Sequence, residues 1–228
     1  ISVAYPLWRL IKDHNTRTLL SSAELENTKN FLSLIRNTLE RNTVFRSLFG
    51  DLVPTRGGIE TWTTTELGIT GRTRPKAESS ITATSSSVTK VSQHFDCVIL
   101  DDLMNEKNIT SKEQIDRIAG YLQLLIPILD PQTATNRRGP RVVVGTRWHF
   151  DDVYGRITAQ NREAERNGQP APWKSYIQGA AEKYIIQDDR VLLEGKLFFP
   201  KRFSREYLNA LQEHMSRYHF ACQYLNQP

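Results

Sequence analysis

Cys97-Val98-Ile99-Leu100-Asp101-Asp102 is the stretch on which the fold turns. Four apolar residues without polar alternation, stopped by two carboxylates, have the pattern of a strand covered on both faces at the centre of a parallel sheet. Open sheets of this kind carry their chemistry at the carboxyl ends of the strands. Successive side chains on a strand point to opposite faces, so the two acids can take different tasks. Nucleotide hydrolysis asks for that division: one carboxylate holds Mg²⁺, usually through water, and another orients or deprotonates the attacking water. Acids at a strand end also simply cap the next loop, and these six residues alone leave both roles open.

Working outward, Arg141-Val142-Val143-Val144-Gly145-Thr146 repeats the buried-strand pattern, and in an open sheet its end would lie beside Asp101 and Asp102. Between the two strands, Ser111 is placed to cap a helix with Gln114 at the capping-box position, and Ile115, Ile118, Leu122, Leu125 and Leu129 keep helical spacing until Pro131. Residues 151–166 form a further helix before the Gly168-Gln169-Pro170 break. Upstream, 17–22 is a strand, and Leu25, Thr28, Leu32, Ile35 and Leu39 mark the helix after it. Residues 50–60 are a glycine- and proline-containing loop, 62–65 and 81–85 have the β-branched content of strands, and 71–76 is a basic turn. This alternation predicts an α/β fold with a mostly parallel sheet flanked by helices. After Pro172 the texture changes to short strands at 175–177 and 190–193, a Phe198-Phe199-Pro200 stop, and helices at 204–215 and 217–225. We therefore expect a core over 1–172 and a small lid or linker subdomain over 173–228.

A chain of 228 residues is long enough for one sizeable core. Its formal charge of +5 comes from intermixed acids and bases, which favours anionic partners only mildly. Cys97 and Cys222 lack metal-ligand spacing, which suggests a reducing compartment and no disulfide framework. No apolar run approaches the ~20 residues that span a bilayer, so a soluble intracellular protein is expected. The apolar opening Ile1–Trp8, without an initiating Met, suggests a start inside a domain.

In order, TSSSVTKVSQHFDCVILDD, LDP and VVVGTRWHFDDVYGRI resemble the terminase large subunit family of tailed phages, the last string most specifically. YPLWRLIKDHNTRTLLSSAE with NTVFRSLFGD, and LFFPKRFSREYLNAL with ACQYLNQP, extend the resemblance over essentially the whole chain. It implies a P-loop nucleoside-triphosphatase fold of the class with an added strand and catalytic acid. It further implies ATP hydrolysis coupled to packaging of double-stranded DNA, with ATP and Mg²⁺ as cofactors. The implied partners are duplex DNA, the portal protein, the small terminase subunit and copies of the chain in a ring, in the host cytoplasm on a procapsid and with no membrane. By resemblance, Asp101 matches the Mg²⁺-coordinating acid and Asp102 the catalytic carboxylate, an Asp where many relatives of this ATPase class carry Glu. Gly145 and Thr146 match the motif that couples hydrolysis to DNA movement, and Arg147 follows them toward the nucleotide.

The family's G-x-x-x-x-G-K-[ST] loop is absent from these residues. The resemblance places it a few residues before Ile1 and the nuclease beyond Pro228, so the 228 residues alone are expected to show weak ATP binding and little or no turnover. Other roles stay open beside these. Gly145-Thr146 can merely turn the chain, Arg147 can make an ion pair, Trp148 reads as packing, and Asp151-Asp152 as helix N-terminal acids. The family's trans-acting arginine position is occupied by Lys90, Gln93 or His94; Arg72, Arg74, Arg137 and Arg138 are further arginine-finger candidates, or solvated and phosphate-contacting bases. His94, His149, His214 and His219 read as surface or core residues rather than as a zinc site. A metal-dependent nuclease built on the Asp pairs and a non-catalytic DNA-binding module are the competing functions.

Overall fold

The computed structural model describes residues 1–55, 58, 60–74, 77–88, 92–132, 137–187 and 190–228. In chain order its elements are α1 (Ala4–Lys12), β1 (Thr18–Ser22), α2 (Leu25–Arg41), α3 (Thr43–Phe49), β2 (Glu66–Leu67), β3 (Ile81–Ser85), β4 (Cys97–Asp101), α4 (Lys112–Leu124), β5 (Pro131–Gln132), β6 (Arg137–Arg138), β7 (Arg141–Val144), α5 (Val153–Arg166), β8 (Ala181–Gln187), β9 (Arg190–Leu197), α6 (Arg205–Gln212) and α7 (Arg217–Phe220). They form two compact units, one of residues 1–103 with 120–145, the other of 104–119 with 146–228.

The first unit holds a five-stranded sheet in the order β2-β3-β1-β4-β7, parallel except for β2. Every residue of β1 and β3 is buried, as are Cys97 to Leu100 of β4, because both faces are covered. On one face Leu20, Ile81, Ala83, Cys97 and Ile99 pack with Leu7 and Leu10 of α1 and Leu32, Ile35 and Leu39 of α2. On the other, Ser21 Oγ meets the buried Tyr121 hydroxyl at 2.9 Å. The apolar, non-alternating strands follow from this double burial. Helix α2 shows the 3.6-residue period at work, its buried positions being Thr28, Leu32, Ile35 and Leu39.

The second unit packs the β8–β9 hairpin, through Val191 and Leu193, on Leu208 of α6 and Phe220 of α7. Ser204 and Ser216 cap α6 and α7 by accepting hydrogen bonds from Tyr207 N and His219 N. Among the described residues no helix is long and apolar enough to cross a membrane.

Several expected boundaries move. The strand placed at 62–65 lies at Glu66–Leu67, with Trp62 joined to it by a single bridge, and 175–177 is irregular while the hairpin begins at Ala181. β-Branched content marks a fit to a pleated surface, and only ladder partners turn it into a strand. Helix α4 stops at Leu124, although Leu125 and Leu129 beyond it are buried like helix positions. Ser111 does accept from Gln114 N, at 3.3 Å, but the Gln114 side chain takes the Thr110 hydroxyl at 2.8 Å rather than closing a capping box on Ser111. Gly57 of the expected loop and Pro75 and Lys76 of the basic turn lie outside the described residues.

Candidate active site at the strand ends

Connections leave β1 and β4 in opposite directions: from β1 through α2 to β3 on one side, and from β4 through α4 to β7 on the other. The carboxyl ends of β1 and β4 therefore flank the switch point of the sheet, where open α/β folds place their ligands. Ser22 ends β1, and Asp101 and Asp102 end β4. β7 runs beside β4 in register, Asp101 opposite Val144, so Gly145 follows at the same edge.

Helix α1 adds a third component. The Ser2 hydroxyl, one residue before its cap at Val3, donates to Asp101 Oδ2, and Arg9 Nη2, near the other end, approaches the Asp96 carbonyl at 3.5 Å. α1 thus runs antiparallel to β4, and its first turn opens at the edge that carries the acids. A helix start carries partial positive charge, which favours an anion, although in α1 Tyr5 N is taken by Ile1 O and Pro6 has no N–H to offer. Asp101 is half-buried and Ser2 is buried, so this carboxylate is held in place by a hydroxyl.

Asp102 has a left-handed backbone, with φ of 49°, in a residue that is not glycine. Three bonds hold that conformation: Asp102 N donates to Val144 O at 3.0 Å, and Asp102 O accepts from Ala23 N at 3.2 Å and from Ser22 Oγ at 3.4 Å. Asn27 Nδ2 in turn donates to Ser22 Oγ at 3.4 Å. Strained backbone persists where its surroundings over-determine it, and such residues gather at active sites. Desolvation where the carboxyl lies against the protein, and then the charge of Asp101, raise the Asp102 carboxyl above the ordinary aspartate range, although the residue as a whole is exposed. A carboxylate weakened as an acid is strengthened as a base.

No protein-family model and no curated protein matches this chain. The chemistry available at the edge therefore has to be argued from the residues. A fixed carboxylate with a hydroxyl beside it suits a hard cation, a second and more basic carboxylate suits an attacking water, and a helix start suits an anionic group. Among the described residues no three His, Cys, Asp or Glu side chains gather as a metal cluster. Asp101 with Ser2 nevertheless offers the hard oxygen ligands that Mg²⁺ takes when most of its shell is water and phosphate.

Thr146, Arg147, Trp148, Asp151 and Asp152 are in the second unit. Thr146 opens its second segment and is half-buried. Arg147 is engaged within its own turn, Nε donating to Asp152 Oδ1 at 2.8 Å and Nη2 to the carbonyls of His149 at 3.1 Å and Phe150 at 3.0 Å. Asp152, fully buried, caps α5 through Gly155 N at 2.7 Å and also accepts from Trp148 N and His149 N. Asp151 pairs with Arg156, which also reaches Asp116 at 2.6 Å. Trp148 meets His219 edge-on, and its carbonyl takes the Tyr218 hydroxyl. Among the arginine-finger candidates, Lys90 and the side chains of Arg137 and Arg138 lie outside the described residues. His94 Nδ1 lies 3.3 Å from Asp130 Oδ1. Ser2, Ser22 and Asn27 were not anticipated, since single polar residues outside a motif carry no pattern to read.

Gly155 supplies a test of the Arg147 turn. A Cβ there would lie 2.3 Å from Phe150 O and 2.7 Å from Arg147 Nη2. Gly155→Ala is expected to destabilise the second unit by about 1–3 kcal/mol through overpacking, read as a lower thermal midpoint. An unchanged midpoint would mean that the turn relaxes freely.

Proposed function

We propose that this chain is the nucleotide-hydrolysing core of a terminase-like motor that packages double-stranded DNA into a procapsid. The observation that carries it is the start of α1 against Asp101 at the switch point, with Asp102 alongside in a strained, backbone-locked conformation.

On this reading Asp101, assisted by the Ser2 hydroxyl, would hold Mg²⁺, whose chemistry would be to neutralise charge on phosphate oxygens. Asp102 orients the attacking water and accepts its proton. The left-handed backbone fixes where the short Asp side chain can reach, a constraint that matters more for Asp than for the longer Glu. The first turn of α1 favours the anionic end of the nucleotide. The phosphate cradle itself is not among these 228 residues, which contain no G-x-x-x-x-G-K-[ST] string. Gly145 and Thr146 report hydrolysis to the DNA-moving parts. The DNA is gripped by its backbone rather than its base edges, because a packaging motor must advance along any sequence. The reading includes a ring of copies docked on the portal protein, fed by the small terminase subunit, in the host cytoplasm.

The test is ATP hydrolysis by the full native protein, with and without duplex DNA. Turnover that rises with DNA supports the motor. DNA cleavage with Mg²⁺ or Mn²⁺ and no nucleotide would replace it with the nuclease alternative. DNA binding that is indifferent to Asp101→Asn with Asp102→Asn, without any ATP turnover in the parent, would leave a binding module.

A further inference from the structure

Away from the strand ends, the first unit has a groove of about 330 Å³ between α2 and the turn at Thr63 and Thr64. Lys29 and Asn30 lie four and three residues before Ser33, and Arg36 three after it, which places them on one stripe of the helix above buried Leu32. This wall carries two cations, an amide, a hydroxyl and, at its end, the Glu26 carboxylate. The facing wall adds two threonine hydroxyls.

Arg36 is preset for its task. Its guanidinium carbon lies 5.7 Å from the centre of the Trp62 ring, Trp62 Nε1 donates to Glu40 at 2.8 Å, and Arg36 Nη2 donates to the Thr63 carbonyl. These contacts fix the plane of the fork, and its other N–H groups meet no acceptor among the described residues. The side chains of Asn30, Ser33 and Thr64 likewise meet no partner there. Lys29 pairs with Glu26 at 3.6 Å, but Glu26 is 74% exposed, and an open i,i+3 pair of this kind contributes little. An incoming anion can therefore take the ammonium from Glu26.

What such a groove recognises follows from its donors. An arginine fork fits two phosphate oxygens at once, and lysine, hydroxyl and amide groups complete the shell. The Trp62 ring is covered by Arg36, so it offers no free face for a base to stack on. We infer that the α2 groove binds a phosphate of a nucleic-acid backbone, with Arg36 and Lys29 as its charged contacts. That the polymer is duplex DNA rests on the motor reading above.

The experiment is anisotropy of a short labelled duplex titrated with the 228-residue chain over a NaCl series. Releasing one phosphate contact lowers the slope of log K against log salt by about 0.9, so Lys29→Gln with Arg36→Gln is expected to lower it by about 1.8 and to weaken two unrelated sequences alike. Lys29→Gln alone, which leaves the Trp62 stack intact, should lower it by about 0.9, and thermal melts confirm that both variants fold. Inorganic phosphate and a mononucleotide are titrated in parallel. If wild type binds no duplex even at low salt, the motor reading and the groove fall together. If wild type binds and both variants keep its slope, only the groove assignment falls. Loss of phosphate or mononucleotide binding with an unchanged duplex slope would also overturn it, making the groove a site for free anions.

Discussion

Asp102→Asn is expected to lower ATP turnover by about 10²–10⁴-fold, the range that a positioned general base contributes, while nucleotide affinity stays within a few fold. The substitution keeps the size of the side chain and the three backbone bonds at Asp102, and removes only the basicity. In barrier terms the loss is about 3–5 kcal/mol. Single-turnover hydrolysis and equilibrium nucleotide binding on the full native protein separate the two quantities. Equal losses in both would mean that Asp102 binds rather than activates, and unchanged turnover would remove it from the mechanism. Because desolvation and Asp101 raise the Asp102 carboxyl, its share of the rate should be lost on acidification at a higher pH than an ordinary aspartate would require. That acid limb is absent from the Asn variant if Asp102 is its source.

The backbone at Asp102 allows a companion measurement. A non-glycine residue at φ of 49° carries strain that glycine would relieve. Asp102→Gly is therefore expected to raise the stability of the first unit by about 1 kcal/mol and to abolish hydrolysis together. A drop in stability instead would show that the side chain contributes more to the fold than its backbone costs.

How much of this was legible beforehand follows from what each signal depends on. The buried strands Cys97–Asp101 and Arg141–Val144 could be read because double burial imposes an unbroken apolar run, and α2 because one buried face imposes its period. The boundaries at Glu66 and Ala181 depend on ladder partners far along the chain, which local composition does not encode. At the site, the acid pair was visible as a motif, but the left-handed turn at Asp102 was not. It arises from Val144, Ala23 and Ser22, three residues on other segments. The direction of α1, set by Ser2 against Asp101, was hidden for the same reason.

The least legible residue is also the one whose loss should cost the fold most. Arg17 stands just before β1, where it looked like the polar start of an apolar run, yet its side chain is 3% exposed and meets three acids. Nε and Nη2 clasp the two oxygens of Asp96 at 3.0 and 3.1 Å, Nη2 reaches Asp130 at 2.6 Å, and Nη1 reaches Glu78 at 3.1 Å. The arrangement ties the entries of β1, β3 and β4 together at the edge opposite the candidate site. Burial alone would lower the Arg17 pKa, but the hydrogen bonds it donates to Asp96 and Asp130 raise it, so the guanidinium stays charged. Arg17→Met fills the same space and leaves the acids without their cation, which for a buried pair costs about 3–5 kcal/mol. The expected result is a lower urea midpoint for the first unit at neutral pH. The penalty should depend on pH in a definite sense. Burial works against the Glu78 charge, but the His94 backbone N–H and Arg17 outweigh it and hold Glu78 below the ordinary glutamate value. A carboxyl depressed in the folded state stabilises above its unfolded pKa, about 4.3 for glutamate, and that contribution is lost as pH falls through the folded value. The stability curves of wild type and Arg17→Met should therefore lie apart at neutral pH and converge in acid. A gap that stays constant down to pH about 3, below the unfolded glutamate value, would assign the loss to packing rather than to the ion network.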